Sequence, residues 1–540
     1  MFNMLQWVDG RRGGARTERA LVGALFDQVF YLDKNPDVRA AKADPLRHYM
    51  TSGFKEGRNP NPLFLTTWYA DAYREHLAYQ NPLVDFVLAG WKAGRNPNPL
   101  FDTAFYLEKY PDVAARNMNP LQHYIAFGAR EGRMASALFD TAYYLRTNPD
   151  LVGVDMNPLH HYLEHGGVEG RNPSADFNVG VYRALRPEAA RPDVNPLIHR
   201  LLNGEPRTGP DQPSIAELET AFAIFDAKYY IAKSQDAGLS EQDAFAHFLD
   251  AGYRQDRNPS PLFDMRWYRE AYGDRMAAQN PLIDYLRDGA RNGRNPNPLF
   301  DSAFYLKRYG EVINEQNPLQ HYLTTGKFEG RQPSSHFDPA FYLAALPASV
   351  EAQNDPLSHF LASGGRDGRN PNALFDCSWY LQRYVKDIRH PNPLVDYVVF
   401  GKTLNRRPNA LFDDYFYINT YKDVAQSGMH PLIHYLQIGG FEGRWANPYF
   451  DSQFYLETNP DVLRSGLNPL FHYLKNGASE GRAPSRKFCS AHYLATYTDV
   501  RQDGVNPLAH YIEHGRFEGR SSCSIARKAP EQPEWTRHQA

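Results

Sequence analysis

The chain repeats itself, and that repetition restricts its fold more than any other property of the sequence. The phrase Phe101-Asp102-Thr103-Ala104-Phe105-Tyr106-Leu107, followed by Asn119-Pro120-Leu121-Gln122-His123-Tyr124 and then by Gly128 and Arg133, recurs thirteen times along 540 residues. Copies one to thirteen open at Phe26, Phe64, Phe101, Phe139, Phe177, Phe225, Phe263, Phe300, Phe337, Phe375, Phe412, Phe450 and Phe488, so the period is 37 or 38 residues with one interval of 48. A fixed period of this size marks stacked supersecondary units that bury a continuous core only together. Because the repeat fills residues 24 to 522, little of these 540 residues remains for a separate globular domain.

Each copy reads as three short helices. In copy three, Asp102 is placed to cap the first: its carboxylate accepts orphan amide protons and sits at the positive end of the helix dipole. Phe101, just outside that helix, closes over Tyr106 in a hydrophobic staple, which puts Tyr106 and Leu107 on the inward side. Tyr110-Pro111-Asp112-Val113 starts a second helix, since Pro suits a first turn and Asp its dipole. Asn119-Pro120-Leu121 opens a third in the same way, with Leu121, Tyr124 and Ile125 on one apolar face. Gly128 is expected to stop that helix in the left-handed conformation. Glu131-Gly132-Arg133 and the Asn-Pro or Ser-rich link after it then turn the chain back. Helices of about two to three turns do not persist alone in water, so neighbouring copies must supply the stability. The fold class this predicts is all-α: a right-handed α-solenoid-like array of about thirteen repeats of 37–38 residues.

Three positions hardly vary between copies. The glycine equivalent to Gly128 and the first-helix tyrosine equivalent to Tyr106 occur in every copy, which suits a backbone requirement and a buried ring with a bonded hydroxyl. An arginine follows the glycine by five residues in twelve copies, copy five having Arg207 instead. Arg58, Arg95, Arg133, Arg171, Arg294, Arg331, Arg444 and Arg520 thus form a candidate binding column, because a solenoid presents equivalent guanidinium groups in a line, each able to grip an acidic polymer bidentately. The competing reading is pairing inside the repeat, with an acid such as Asp102 or Glu131. Histidines such as His48, His123 and His434 occupy one third-helix position in ten copies, and Asp85, Asp284 and Asp396 replace them in the other three. One histidine per copy cannot converge on a metal ion, and the exchange with Asp points to a local hydrogen bond.

Composition excludes several classes. Charged residues make up 22% of the chain and the net charge is -3, so no basic field exists to hold nucleic acid or an anionic membrane. The cysteines, Cys377, Cys489 and Cys523, are too few for a disulfide framework or a zinc knuckle, and their odd number fits a reducing compartment. Cys489 and Cys523 are free to pair, though nothing in the sequence requires it. No stretch of about eighteen apolar residues appears, so no membrane span is expected. Arg11, Arg12, Arg16 and Arg19 precede Phe26 without the apolar core of a signal peptide, and the reading is a soluble, cytoplasmic protein. No nucleophile elbow, phosphate loop, dinucleotide fingerprint or zinc-protease motif is present, and the pairs His160-His161 and Asp413-Asp414 stand without a supporting motif. The expectation is therefore no enzyme, no catalytic residue, no cofactor and no metal, since like groups spread evenly along a chain do not converge into an active site.

The regular spacing breaks once. Glu205 to Gln212 adds Pro206, Gly209 and Pro210, and Ser214-Ile215-Ala216-Glu217 then matches a capping box. The predicted organisation is an N-terminal segment 1–23, repeats one to five at 24–207, a linker with a short helix at 208–223, repeats six to thirteen at 224–522 and a flexible tail at 523–540. The phrases Asn459-Pro460-Asp461-Val462, Asn468-Pro469-Leu470-Phe471-His472-Tyr473 and Glu480-Gly481-Arg482 resemble a bacterial helical repeat found beside glycosyltransferase and surface-polysaccharide biosynthesis domains and in some large calcium-binding surface proteins. The resemblance covers most of the chain, but neither a glycosyltransferase domain nor a glycine-aspartate nonapeptide array accompanies it here. What it implies is a scaffold for protein partners, such as glycosyltransferase or envelope proteins, in envelope or exopolysaccharide assembly. The alternatives are a glycan-binding module, which requires Tyr106 and Arg133 equivalents to face outward, and an auxiliary repeat region of a glycosyltransferase.

Overall fold

The computed structural model describes residues 22–154, 156–206, 212–234, 238–314, 316–347 and 355–523. Most of the expected N-terminal segment, part of the linker and all of the tail beyond Cys523 lie outside the described residues. What is described is helical, with extended pairing confined to isolated bridges such as Asn98↔Phe101 in the links between copies. Among the described residues no helix is long and apolar enough to cross a membrane.

Copy three shows how the residues build the unit. Its helices are Thr103–Lys109, Pro111–Ala115 and Pro120–His123, the last running on into a single π turn, Tyr124–Gly128. Asp102 caps the first by accepting from the Phe105 amide at 3.0 Å, and Asn119 caps the third through the Leu121 and Gln122 amides. The Phe101 and Tyr106 rings lie 5.3 Å apart as the staple demands, and Tyr124 closes the group at 5.5 Å from Phe101 and edge-on to Tyr106 at 5.9 Å. All three rings are fully buried, together with Leu121 and Val113. An aromatic trio of this kind is the core of the copy, since offset and edge-on pairs add to what burial alone supplies.

Two local expectations are corrected. Ile125 is not on the core face but 40% exposed, because the π turn rotates it away from Leu121 and Tyr124. Gly128 does not adopt a positive φ; the left-handed glycine is Gly132, at φ +70°. Gly128 is instead a contact glycine, since a Cβ there would overlap the Tyr106 hydroxyl. The same hydroxyl would meet a Cβ at Gly53, Gly90, Gly166, Gly326, Gly439, Gly477 and Gly515, which explains the invariance without any helix-stop geometry. Copies five and ten differ: Gly204 has φ +77° with open space around it, and a Cβ on Gly401 would meet the Tyr397 ring instead.

Neighbouring copies are joined by side chains in the links. Asn98 accepts from the Leu100 and Phe101 amides, both at 2.9 Å, and donates to the Leu63 carbonyl of the preceding copy at 2.8 Å. Asn61, Asn297, Asn409 and Asn447 repeat that bridge. A second bond joins third helix to following first helix: the Tyr124 hydroxyl meets Thr141 Oγ1 at 2.8 Å, as Tyr285 meets Ser302 and Tyr473 meets Ser490. Copies three apart also touch. Lys34 in copy one pairs with Glu164 in copy four at 2.9 Å, and Phe341 in copy nine lies edge-on to Phe471 in copy twelve at 6.0 Å.

The chain divides into two compact units, Met1–Phe222 with Ser234–Gly252, and Ala223–Lys233 with Tyr253–Ala540. The irregular segment contains the helix Ile215–Ile224, opened by a reciprocal capping box in which the Ser214 amide donates to Glu217 Oε2 at 2.7 Å and the Glu217 amide to Ser214 Oγ at 3.2 Å. In the first unit the helix Glu241–Asp250 packs on Val179–Leu185, with Arg183 donating to Gln242 Oε1 at 3.0 Å.

Candidate functional site

The arginine column forms in two chemical settings. In the first, Arg133 donates Nη1 and Nη2 to the two oxygens of Asp112 at 2.8 and 3.0 Å, donates Nε to Glu131 at 2.5 Å, and lies over the Tyr110 ring at 4.8 Å. Arg58 binds Asp37 and Glu56 in the same way, Arg171 binds Asp150 and Glu169, Arg444 binds Asp423 and Glu442, and Arg520 binds Asp499 and Glu518. Arg331 keeps the Glu329 partner and stacks over Tyr309. Hydrogen bonding from Arg58 holds the Asp37 carboxyl down to about 2, and the equivalent bonds lower Asp112, Asp150 and Asp499. The acids are the Asp of the second helix and the Glu two residues before the Arg. Asp102, one of the partners suggested by the sequence, is engaged instead as a helix cap.

In the second setting the arginine turns inward. Arg95 donates to Asp85 at 2.6 Å and to the His76 carbonyl at 2.5 Å, and Arg294 binds Asp284 and the Arg275 carbonyl at 2.6 Å each. Arg406, outside the column as first drawn, binds Asp396 and the Asp387 carbonyl. Each of these aspartates is fully buried and otherwise satisfied: Asp85 accepts from the Tyr69 hydroxyl and the Ala78 amide, both at 2.7 Å.

Tyrosine and histidine complete the network. The Tyr106 hydroxyl lies 3.0 Å from His123 Nδ1, and the same pair occurs as Tyr31–His48, Tyr144–His161, Tyr417–His434, Tyr455–His472 and Tyr493–His510. Where Asp replaces His, the tyrosine donates to the carboxylate instead. Burial lowers the pKa of His123, His161, His321, His434, His472 and His510, so these rings stay neutral. The tyrosine position is buried, and Tyr106 does not face outward as a sugar-stacking surface requires. Among the described residues no group of three or more His, Cys, Asp or Glu side chains gathers as a metal site does.

One surface feature escaped the sequence reading. In the first unit, copy one and the loop and helix of copies three and four enclose a groove of about 880 Å³, lined by Phe30, Ile125, Leu151, Val152, Val154 and His160 among others. Its rim is apolar and wet, with Val29 at 79%, Val152 at 70% and Val154 at 53% exposure. Glu164 ties the copies beneath it, lying 2.9 Å from Lys34 and 3.2 Å from His160. The residues come from copies some 120 positions apart, so no local motif announces the groove.

Comparison with known proteins returns no match: no family model, no curated protein and no solved structure is significantly similar to this chain.

Proposed function

We propose that the chain is a non-catalytic α-solenoid scaffold, its copies stacked in a right-handed array, that docks protein partners in bacterial envelope or exopolysaccharide assembly. The observation that carries the docking reading is the exposed apolar rim of Val29, Val152 and Val154 around a preformed groove, since apolar patches left in water mark protein contact surfaces. The engagement of the arginine column supports the same choice over an acidic polysaccharide. A polyanion would have to displace Asp112 and Glu131 from Arg133, and their equivalents elsewhere, before gripping the guanidinium groups. Contacts between copies one and four, and between nine and twelve, support the stacked arrangement. The envelope and exopolysaccharide setting rests on the sequence resemblance alone, as does an auxiliary role beside a glycosyltransferase.

The test is affinity capture from a bacterial lysate with three full-length baits: wild type, Val29→Glu/Val152→Glu, and Arg133→Gln/Arg444→Gln. A protein retained by wild type and by the Arg variant but lost from the Val variant supports the scaffold. An acidic polysaccharide lost only from the Arg variant overturns it in favour of the glycan-binding module.

A further inference from the structure

Every copy except the fifth is closed by one backbone bond among the described residues, in which the residue after the opening phenylalanine donates its amide to a carbonyl in the next link. Asp27 donates to Pro60 at 2.9 Å, Asp102 to Ala135 at 3.0 Å and Asp451 to Pro484 at 3.0 Å. Two side chains flank the closure. One is the aspartate itself, capping the first helix; the other is the Asn or Ser just after the carbonyl, as in Asn61, Ser136 and Ser485, all buried. In copy thirteen the amide of Cys489 donates to the Ser522 carbonyl at 3.0 Å, so the closure is kept, but both flanking positions are now cysteine: Cys489 and Cys523. The double replacement falls where the phrase Ser524-Ile525-Ala526 lacks the phenylalanine that opens a copy.

Cys489 gives up the side-chain cap that aspartate supplies at this position in other copies. Both cysteines are half-buried free thiols. Cys523 follows the carbonyl that the Cys489 amide binds at 3.0 Å, which makes the two residues neighbours across the closure, and a disulfide requires such neighbours, with Cα atoms about 4.4–6.8 Å apart. Cys377 is fully buried on another copy and cannot compete.

We propose that Cys489 and Cys523 form a reversible disulfide that clamps the closure of copy thirteen. The oxidant is a small disulfide of the glutathione class. One cysteine thiolate attacks it, releasing one reduced thiol and leaving a mixed disulfide; the second cysteine loses its proton and displaces the other half. Two protein thiols and one small disulfide become one protein disulfide and two small thiols.

The experiment uses the full chain incubated with oxidised glutathione or with dithiothreitol, alkylated, digested with trypsin and mapped by mass. Oxidation should join the peptides 488–501 and 521–527 with loss of two hydrogen atoms, and dithiothreitol should separate them. Limited proteolysis of the undigested chain should then cut copy thirteen more slowly in the oxidised form. That protection should be absent from Cys523→Ser and from Cys489→Asp, which restores the cap and so keeps the copy folded. Glutathione adducts without the joined peptide, covalent dimers in its place, or a joined peptide that leaves proteolysis unchanged would each overturn the proposal.

Discussion

Copies two and three do the same job with different charges. In copy three a neutral His123 sits under Tyr106, and Arg133 reaches outward to Asp112 and Glu131. In copy two Asp85 takes the histidine's place, and Arg95 swings inward to it. The surroundings change in step. Ala93 stands where copy three has Glu131, and the tight turn Arg74–His76 replaces the proline-led second helix, aiming the His76 carbonyl at Arg95. Copies seven and ten, with Asp284 and Asp396, repeat the substitution, having Asn292 and Leu404 at the Glu131 position. The repeat therefore keeps a satisfied arginine and a satisfied tyrosine rather than any one partner, because a buried unpaired ion costs far more than the pair gains.

The comparison breaks hardest at the buried carboxylate. Asp85→Asn should lower stability by about 3–5 kcal/mol, the range for stripping one partner from a buried ion pair, read as a fall in the urea midpoint of the full chain. Asp85→His should cost about as much, and adding Ala93→Glu should recover part of it; a double variant no more stable than Asp85→His alone would sink the idea of two interchangeable settings. Next comes the contact glycine. Gly128→Ala should cost about 2–3 kcal/mol by forcing Tyr106 off its site, whereas Gly330→Ala, strained only in its φ, should cost about 1 kcal/mol.

Acid should separate the two settings. Burial lowers the pKa of His123 below the ordinary 6.5, so the unfolded chain binds the extra proton. The stabilisation is therefore complete above pH 6.5 and is lost as pH falls through the folded value. Hydrogen exchange on lowering the pH from about 7 to about 5 should open copy three before copy two, which has no histidine at this position. A smaller effect sharpens the hydroxyl link between copies: Val179→Thr should give the buried, unpartnered Tyr162 hydroxyl an acceptor and raise stability by about 1 kcal/mol, and Thr141→Val should lower it by as much. Smallest of all, Asp112→Asn on the surface should leave the urea midpoint unchanged while raising the salt insensitivity of copy three, since Asp112 is exposed.

The helix caps, the Phe101–Tyr106 staple and the Ser214 capping box were legible in the sequence because each is settled within a few residues. Gly128 was legible as essential but not for its reason, because the atom that excludes a Cβ belongs to Tyr106, on another helix of the copy. The arginine partner was half legible: Glu131 lies two residues away, but Asp112 lies 21 away and becomes a neighbour only when the third helix folds back. The groove was not legible at all, since its walls come from copies one, three and four, which are far apart in sequence.

At the Tyr124 position, Phe86, Arg200, Phe248 and Phe360 bring no hydroxyl at all, and two tyrosines bring one that bonds to nothing. Tyr162 faces Val179 and Tyr322 faces Pro339, and both hydroxyls are buried without a partner. Tyr124, Tyr285, Tyr435 and Tyr473 all have theirs. The junctions after copies four and eight thus each hold a buried polar group that only opening lets water reach, a penalty that the phenylalanine junctions escape. Pulled in an optical trap, the junctions at Tyr162 and Tyr322 should yield at lower force than those at Tyr124 and Tyr473, where the hydroxyl is bonded.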